Sequence, residues 1–286
     1  MASDMAVQGS DLRKRYGDTY AVDGVELEIR RGEVFALLGP NGAGKTTTVE
    51  ILEGFRDRDG GVAEVLGEDP GRAGRAWRAR IGIVLQLASA GPEVSVRELV
   101  RHFAGFYPRP RDPDEVIELV GLGEQAGKRI STLSGGQARR VDVALGIVGR
   151  PELLFLDEPT TGFDPQARRQ FWGLIRELAA EGVTIVLTTH YLEEAEALAG
   201  RLAVLAGGRV VAAGTPASLG GADRPATVSW DAPDGRRAVQ TPTPAQVVAD
   251  LARQAGEVPG LTVTRPTLED TYLELIGASA DFGGQA

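Results

Sequence analysis

An α/β fold is predicted for this chain, and three observations predict it. "VFALL" (34–38), "LLFLD" (153–157) and "VTIVLTT" (183–189) are continuous apolar and β-branched runs. Such runs suit strands covered on both faces, as in a parallel sheet flanked by helices. Helical patterns follow two of them, over 166–180 and 192–199. A glycine-rich turn, "GPNGAGKT", follows the remaining one, so strands and helices alternate as βαβ units require.

The elements follow in chain order. In "VELEIRRGE", Val25, Leu27 and Ile29 alternate with polar residues up to a turn at Arg31 and Gly32, which reads as a half-buried strand. Between about 86 and 144, "VRELVRHFAGFY" and "PDEVIELVGL" are amphipathic helix patterns between proline-rich loops, a mostly helical insertion in the α/β core. Val141, Ala144, Leu145 and Val148 fall at i, i+3, i+4 and i+7. A buried helix therefore begins just after Ser134, Gly135 and Gly136. After "AAGTPASLGGADRPA" the pattern resets. "TVSWD", "RRAVQT", a helix over "PAQVVADLARQAG", "LTVTR" and a helix over "LEDTYLELIG" make a small α+β appendix. Residues 5–220 form the main domain and 222–286 the accessory one, with the Gly/Pro/Ala-rich stretch 213–226 as linker.

Composition narrows the function. The 286 residues are 42% apolar and 25% charged, as in a globular protein with room for one large and one small domain. There are no cysteines, so disulfides and thiolate metal sites are excluded, and two histidines make a histidine-rich metal site unsuitable. A net charge of -9 disfavours broad nucleic-acid binding, and none is expected. "MASDMAVQGS" lacks the basic and apolar regions of a secretory signal. The apolar runs fall short of the roughly 18 residues of a membrane span. The expectation is a cytoplasmic protein whose membrane role comes through a partner.

Residues 39–46 match G-x-x-x-x-G-K-[ST] between a strand and a helix, the setting in which this pattern cradles phosphate. Gly39, Gly42 and Gly44 are expected to let the backbone curl with its N–H groups inward. The following helix points its positive end at the same place. Pro40 and Ala43 complete the loop, and Asn41 is expected to tolerate its unusual dihedrals. Lys45, one of three lysines in the chain, adds charge toward the outer phosphates. Thr46 offers a hydroxyl to Mg²⁺ and Thr47 contacts an inner phosphate. Asp157 and Glu158 end the apolar run "LLFLDEP", at the sheet edge where ligands of open α/β sheets sit. Adjacent strand residues point to opposite sides. Asp157 is therefore assigned to the Mg²⁺ shell, and Glu158, facing outward, to the attacking water. A bare turn at 39–46 and a simple strand cap at 157–159 are the alternatives, and the two patterns together disfavour both.

"TLSGGQARRVDVALGIVGRPELLFLDEPTTGFDP" (132–165) resembles the ATP-binding cassette (ABC) ATPases, and the resemblance covers nearly all of 5–220. It implies a P-loop NTPase cassette with an N-terminal antiparallel β subdomain, binding ATP and Mg²⁺. In that family two chains sandwich two ATP molecules head to tail. Here Ser134, Gly135, Gly136 and Gln137, at the start of a helix, would supply the second anion site. Carried over position by position, Tyr16 matches the aromatic that stacks on adenine, with Tyr20 as rival. Gln86 matches the glutamine that senses Mg²⁺ and γ-phosphate. Asp164 matches the loop that crosses to the partner. His190, closing "VTIVLTTH", can hydrogen-bond the γ-phosphate. Phe163 stands where leucine is commoner. His102, on an amphipathic helix, is read as a surface residue.

With one cassette and no span, the chain resembles the ATPase subunit of a transporter, peripheral on the inner face of the membrane and partnered by a separate permease. "RPTLEDTYLELIG" and the short appendix resemble the daunorubicin/doxorubicin-resistance exporter type. "QLASAGPEVSVRELV", which should touch the permease, keeps only the Val96-Arg97-Glu98-Leu99 core of that group's pattern. The alternative is a non-transport ABC ATPase. Chromosome-maintenance types need a coiled coil between loop and signature, and the 88 residues from Lys45 to Leu133 carry no sustained heptads. Translation-factor types join two cassettes. A small GTPase would need a guanine-reading lysine motif, absent around Lys14 and Lys128.

Overall fold

The structure, a computed structural model, describes residues 4–84, 93–221 and 225–282. The chain divides into two compact units, Met1–Val211 and Ala212–Ala286.

In the first unit, β1 (Met5–Tyr16) and β2 (Thr19–Arg30) form a long hairpin. Next come β3 (Val34–Leu38), α1 (Lys45–Leu52), β4 (Gly60–Val65), α2 (Arg75–Arg78) and β5 (Ile81–Val84). The helical part holds α3 (Val96–Ala104), α4 (Pro113–Leu119) and α5 (Gly135–Ile147). Then β6 (Leu153–Asp157), α6 (Pro165–Ala180), β7 (Thr184–Thr189), α7 (Leu192–Leu198), β8 (Arg201–Ala206) and β9 (Arg209–Gly214) complete the core. One sheet is antiparallel, β2-β1-β4; the other runs β5-β6-β7-β3-β8-β9 and is parallel from β5 to β8. β3, β6 and β7 are buried almost throughout, as continuous apolar runs require.

The sequence pattern misses β1, and the ladder explains why. Register shifts at Gly9/Leu12 and Leu12/Arg13, with Asp11 at φ 48°, break the two-residue alternation. The helical part agrees with expectation. α3 starts at a capping box of Ser95 with Glu98, and α4 at Asp112, which accepts from the backbone N–H groups of Asp114 and Glu115. His102 is exposed on α3, edge-on to Phe103 and Phe106.

Glu53, at the C-terminus of α1, is 5% exposed. Burial, and then the charges of Asp157 and Glu50, push its carboxyl up to about 8. The unfolded chain therefore ionises first. Stability conferred by this group is full below about pH 4.5 and is lost as pH rises toward 8. Glu53→Gln is expected to be more stable than wild type at pH 8, by up to a few kcal/mol at about 1.4 kcal/mol per pH unit. That gain should vanish near pH 4.5. Urea melts at the two pH values check it, and an equal gain at both would contradict it.

In the second unit, α8 (Pro216–Leu219) precedes a three-stranded sheet of order β11-β10-β12, made by β10 (Ala226–Ala232), β11 (Gly235–Thr241) and β12 (Thr262–Thr264). α9 (Pro244–Ala255) packs on β10, and α10 (Leu268–Phe282) packs near α8. Each of the five expected appendix elements is present. The stretch 213–226 is not a bare linker. Thr215 caps α8 through a box with Ser218, and a Cβ at Gly220 would lie 3.3 Å from the Leu268 nitrogen. The second compact unit accordingly begins earlier, at Ala212. Among the described residues no helix is long and apolar enough to cross a membrane.

Candidate functional site

Strand register assembles the site. Leu38 lies opposite Thr189 in the β3–β7 ladder, and Asp157 opposite Thr188 in the β6–β7 ladder. β3 and β7 thus end level, β6 ends one residue earlier, and the segments beginning at Gly39, Glu158 and His190 leave the sheet side by side. This is the carboxyl edge at which the strand order switches, the favoured ligand position of an open α/β sheet.

The 39–46 loop is shaped partly by packing. A Cβ at Gly39 would stand 2.3 Å from the Leu205 carbonyl oxygen, and one at Gly44 would stand 2.1 Å from that of Ala21. These glycines allow the loop to sit against its own scaffold. The left-handed positions are Gly42 (φ 79°) and Gly44 (φ 99°). Asn41, expected to tolerate unusual dihedrals, is not itself left-handed. Gly44 is the N-cap of α1, whose first turn carries Lys45, Thr46 and Thr47. The Lys45 ammonium, 4% exposed, donates to the carbonyls of Gly39 (2.8 Å) and Pro40 (3.1 Å).

The structure brings Asp157 and Thr46 together: the Thr46 hydroxyl stands 3.1 and 3.3 Å from the two Asp157 carboxylate oxygens. Asp157 is buried and also accepts from the Thr188 hydroxyl. A carboxylate beside a hydroxyl is a hard-oxygen pair that fits Mg²⁺, which completes its shell with waters and phosphate oxygens. Among the described residues no cluster of three or more His, Asp or Glu could cage a metal ion.

Glu158 departs from expectation. It does not face outward. The strand ends at Asp157, and Glu158 turns at φ 44°, so strand alternation no longer applies. Its carboxylate folds back to 3.4 Å from Lys45 Nζ and 3.3 Å from His190 Nδ1. His190 Nδ1 is buried and makes no aligned hydrogen bond among the described residues, so the two groups are close without being locked together. Such left-handed non-glycine residues concentrate at functional sites.

Arg139, missed at the sequence level, straps this turn from α5. Its guanidinium donates to the carbonyls of Asp157 (2.9 Å) and Pro159 (3.3 Å), the residues on either side of Glu158. Ser134 is the N-cap of α5 and forms a capping box with Gln137. Together with Gly135 and Gly136 they line a groove of about 810 Å³ shared with Gly162, Asp164 and Arg140. Asp164 caps α6, accepting at 2.8 Å from the N–H groups of Gln166 and Ala167. Phe163 is buried edge-on against Phe171, which accommodates an aromatic in place of leucine. Tyr16 and Tyr20 flank the β1–β2 turn, 45% and 44% exposed, so exposure does not separate them; Arg56 lies over the Tyr16 ring at 5.3 Å. Gln86 lies outside the described residues.

Comparison with known proteins agrees with this geometry. The ABC transporter family profile matches residues 22–161. The chain is 39% identical to Nod factor export ATP-binding protein I of Ralstonia nicotianae, over 96% of this chain and 94% of that relative. It is 37% identical to the daunorubicin/doxorubicin resistance ATP-binding protein DrrA of Streptomyces peucetius, again over 96% and 94%. Among solved structures, cbiO1 of Clostridium perfringens, part of an ABC transporter complex, matches with a TM-score of 0.68 at 30% identity, over 76% of this chain and 91% of that one. The ATP-binding subunit of another ABC transporter reaches 0.71 at 24% identity, over 94% and 99%. With Lys45, Thr46, Asp157, Glu158 and His190 gathered at one sheet edge and this likeness running the length of the chain, the protein belongs to the ABC transporter family as an ATP-binding, ATP-hydrolysing subunit.

Proposed function

We infer that the chain powers export of a hydrophobic, drug-like solute through a separate membrane-spanning subunit, working as a homodimer on the cytoplasmic face. The observation that carries this reading is the likeness, over 96% of the chain, to relatives named for Nod factor export and for daunorubicin resistance.

In this reading the backbone of 39–47 and Lys45 hold the ATP phosphates, and Tyr16 stacks on adenine. Mg²⁺ would be held by Thr46, Asp157 and Gln86, and would neutralise phosphate charge. Glu158 accepts a proton from the attacking water, and His190 hydrogen-bonds the γ-phosphate. Ser134, Gly135, Gly136, Gln137 and Asp164 serve the nucleotide of the partner chain. A groove of about 680 Å³ between β5 and α5, rimmed by Phe55, Phe103 and Tyr107 with Glu53 in its lining, suits a helix of the membrane subunit. Phe55 is 71% exposed there, a cost that a partner would remove.

The test pairs this chain with the six-span protein expected in the adjoining reading frame. Inverted vesicles carrying both are expected to accumulate a hydrophobic dye when ATP is added outside. Vigorous ATP hydrolysis with no accumulation, and no sedimentation of the chain with the membranes, would remove the exporter reading while leaving the ATPase in place.

A further inference from the structure

We propose that Glu194 is a positioning residue, one that sets the spacing between Glu158 and His190 by clamping the two segments that carry them. This rests on the proposed function, in which Glu158 and His190 act on the nucleotide.

Glu194 is completely buried, in the first turn of α7. A glutamate at this third helical position ordinarily reaches back to the N-cap backbone N–H. Here it does not: the N-cap, Tyr191, donates its N–H to the Thr189 hydroxyl instead. The Glu194 carboxylate reaches across to two other elements. Its Oε1 accepts from the Thr160 hydroxyl at 2.9 Å and from the Trp172 indole N–H at 3.3 Å. Its Oε2 is buried with no hydrogen-bond partner among the described residues. Burying a carboxylate with one oxygen unpaired is costly, and packing alone would be served better by leucine.

What the clamp joins gives the reason. Thr160, 1% exposed, lies two residues beyond Glu158 and organises that turn, since its carbonyl accepts from the Phe163 N–H at 3.0 Å. Glu194 lies four residues beyond His190, at the start of the helix His190 leads into. Trp172 belongs to α6, which begins where the Glu158 segment ends. One oxygen atom therefore ties together the outgoing ends of both segments. Glu158 and His190 stand 3.3 Å apart without an aligned hydrogen bond, so nothing in the pair itself fixes that separation. A small shift of either segment would carry the groups out of reacting geometry.

The test measures steady-state ATP hydrolysis with Mg²⁺ for Thr160→Val, Glu194→Leu, Glu194→Gln and the Thr160→Val/Glu194→Leu double variant, with Glu158→Gln alongside. Thr160→Val and Glu194→Leu are each expected to lower kcat about tenfold with KM for ATP within about twofold, the mark of lost geometry and not of lost binding. Glu194→Gln keeps an acceptor oxygen at the same reach and is expected to restore kcat to within about threefold of wild type. The double variant should be no worse than the poorer single one, because both remove the same clamp. If Glu194→Leu does not fold, Thr160→Val, nearly isosteric, decides. Wild-type kcat in Thr160→Val, or Glu194→Gln as impaired as Glu194→Leu, would overturn the proposal even with Glu158→Gln inactive. Glu158→Gln turning over normally would instead overturn the assignment of Glu158 itself.

Discussion

Replacing Glu158 with glutamine is expected to yield a chain that binds ATP, hydrolyses it about 10²–10⁴-fold more slowly, and elutes as a dimer. The amide has nearly the carboxylate's shape and can hold the turn at φ 44°, but it cannot take the proton of the attacking water. The change also removes one negative charge from the point where Lys45 and His190 converge, which favours an added γ-phosphate and closure around it. Each ATP would then lie between 39–47 of one chain and 134–137 of the other. Adding Ser134→Arg should abolish the dimer. It fills the groove at the α5 N-terminus and removes a cap worth about 1 kcal/mol, while the 39–47 loop stays intact. Size-exclusion chromatography with ATP decides: a monomeric Glu158→Gln protein, or a dimer indifferent to Ser134→Arg, contradicts the head-to-tail arrangement.

Lys45→Ala is expected to lower ATP turnover at least about 10²–10³-fold, the scale seen when one preorganised donor is lost from a reacting centre. Two effects add. The charge facing the outer phosphates disappears. The loop also loses its internal brace, since the ammonium binds the carbonyls of Gly39 and Pro40, and Glu158 loses the cation 3.4 Å away. A defect in nucleotide binding as well as in kcat is therefore expected, measured by titration with ATP and by steady-state kinetics. Wild-type turnover in the variant would refute the assignment of the loop.

Much of this was legible because few roles besides phosphate and metal chemistry place these residue types at that spacing. The loop at 39–46, Asp157 at the end of "LLFLD" and the serine before α5 stand at the positions the sequence pattern indicates. What stayed hidden was non-local. Asp157 and Glu158 look like alternating strand residues until the left-handed turn at Glu158 swings its carboxylate toward the loop that Asp157 already meets from the strand. Gly39 looks like a phosphate contact, whereas the close approach it permits is to Leu205. Arg139 and Glu194 act through partners 18 to 34 residues away, and nothing in their neighbouring sequence announces this. β1 escaped notice because its bulges spoil the alternation that would have revealed it.

The ends of β3, β6 and β7, which fall within one residue of each other in register, make this protein far less tolerant of changed spacing than of changed side chains. Within Leu153–Leu156 one aliphatic residue can replace another of similar volume at a cost usually below about 1.5 kcal/mol. Deleting any one of them would draw Asp157 back by about 3.3 Å and turn it to the opposite face of the sheet. No rotamer change could recover that displacement. Insertions and deletions should therefore be confined to segments away from these strands, whereas apolar substitutions within them can accumulate with little effect on the chemistry.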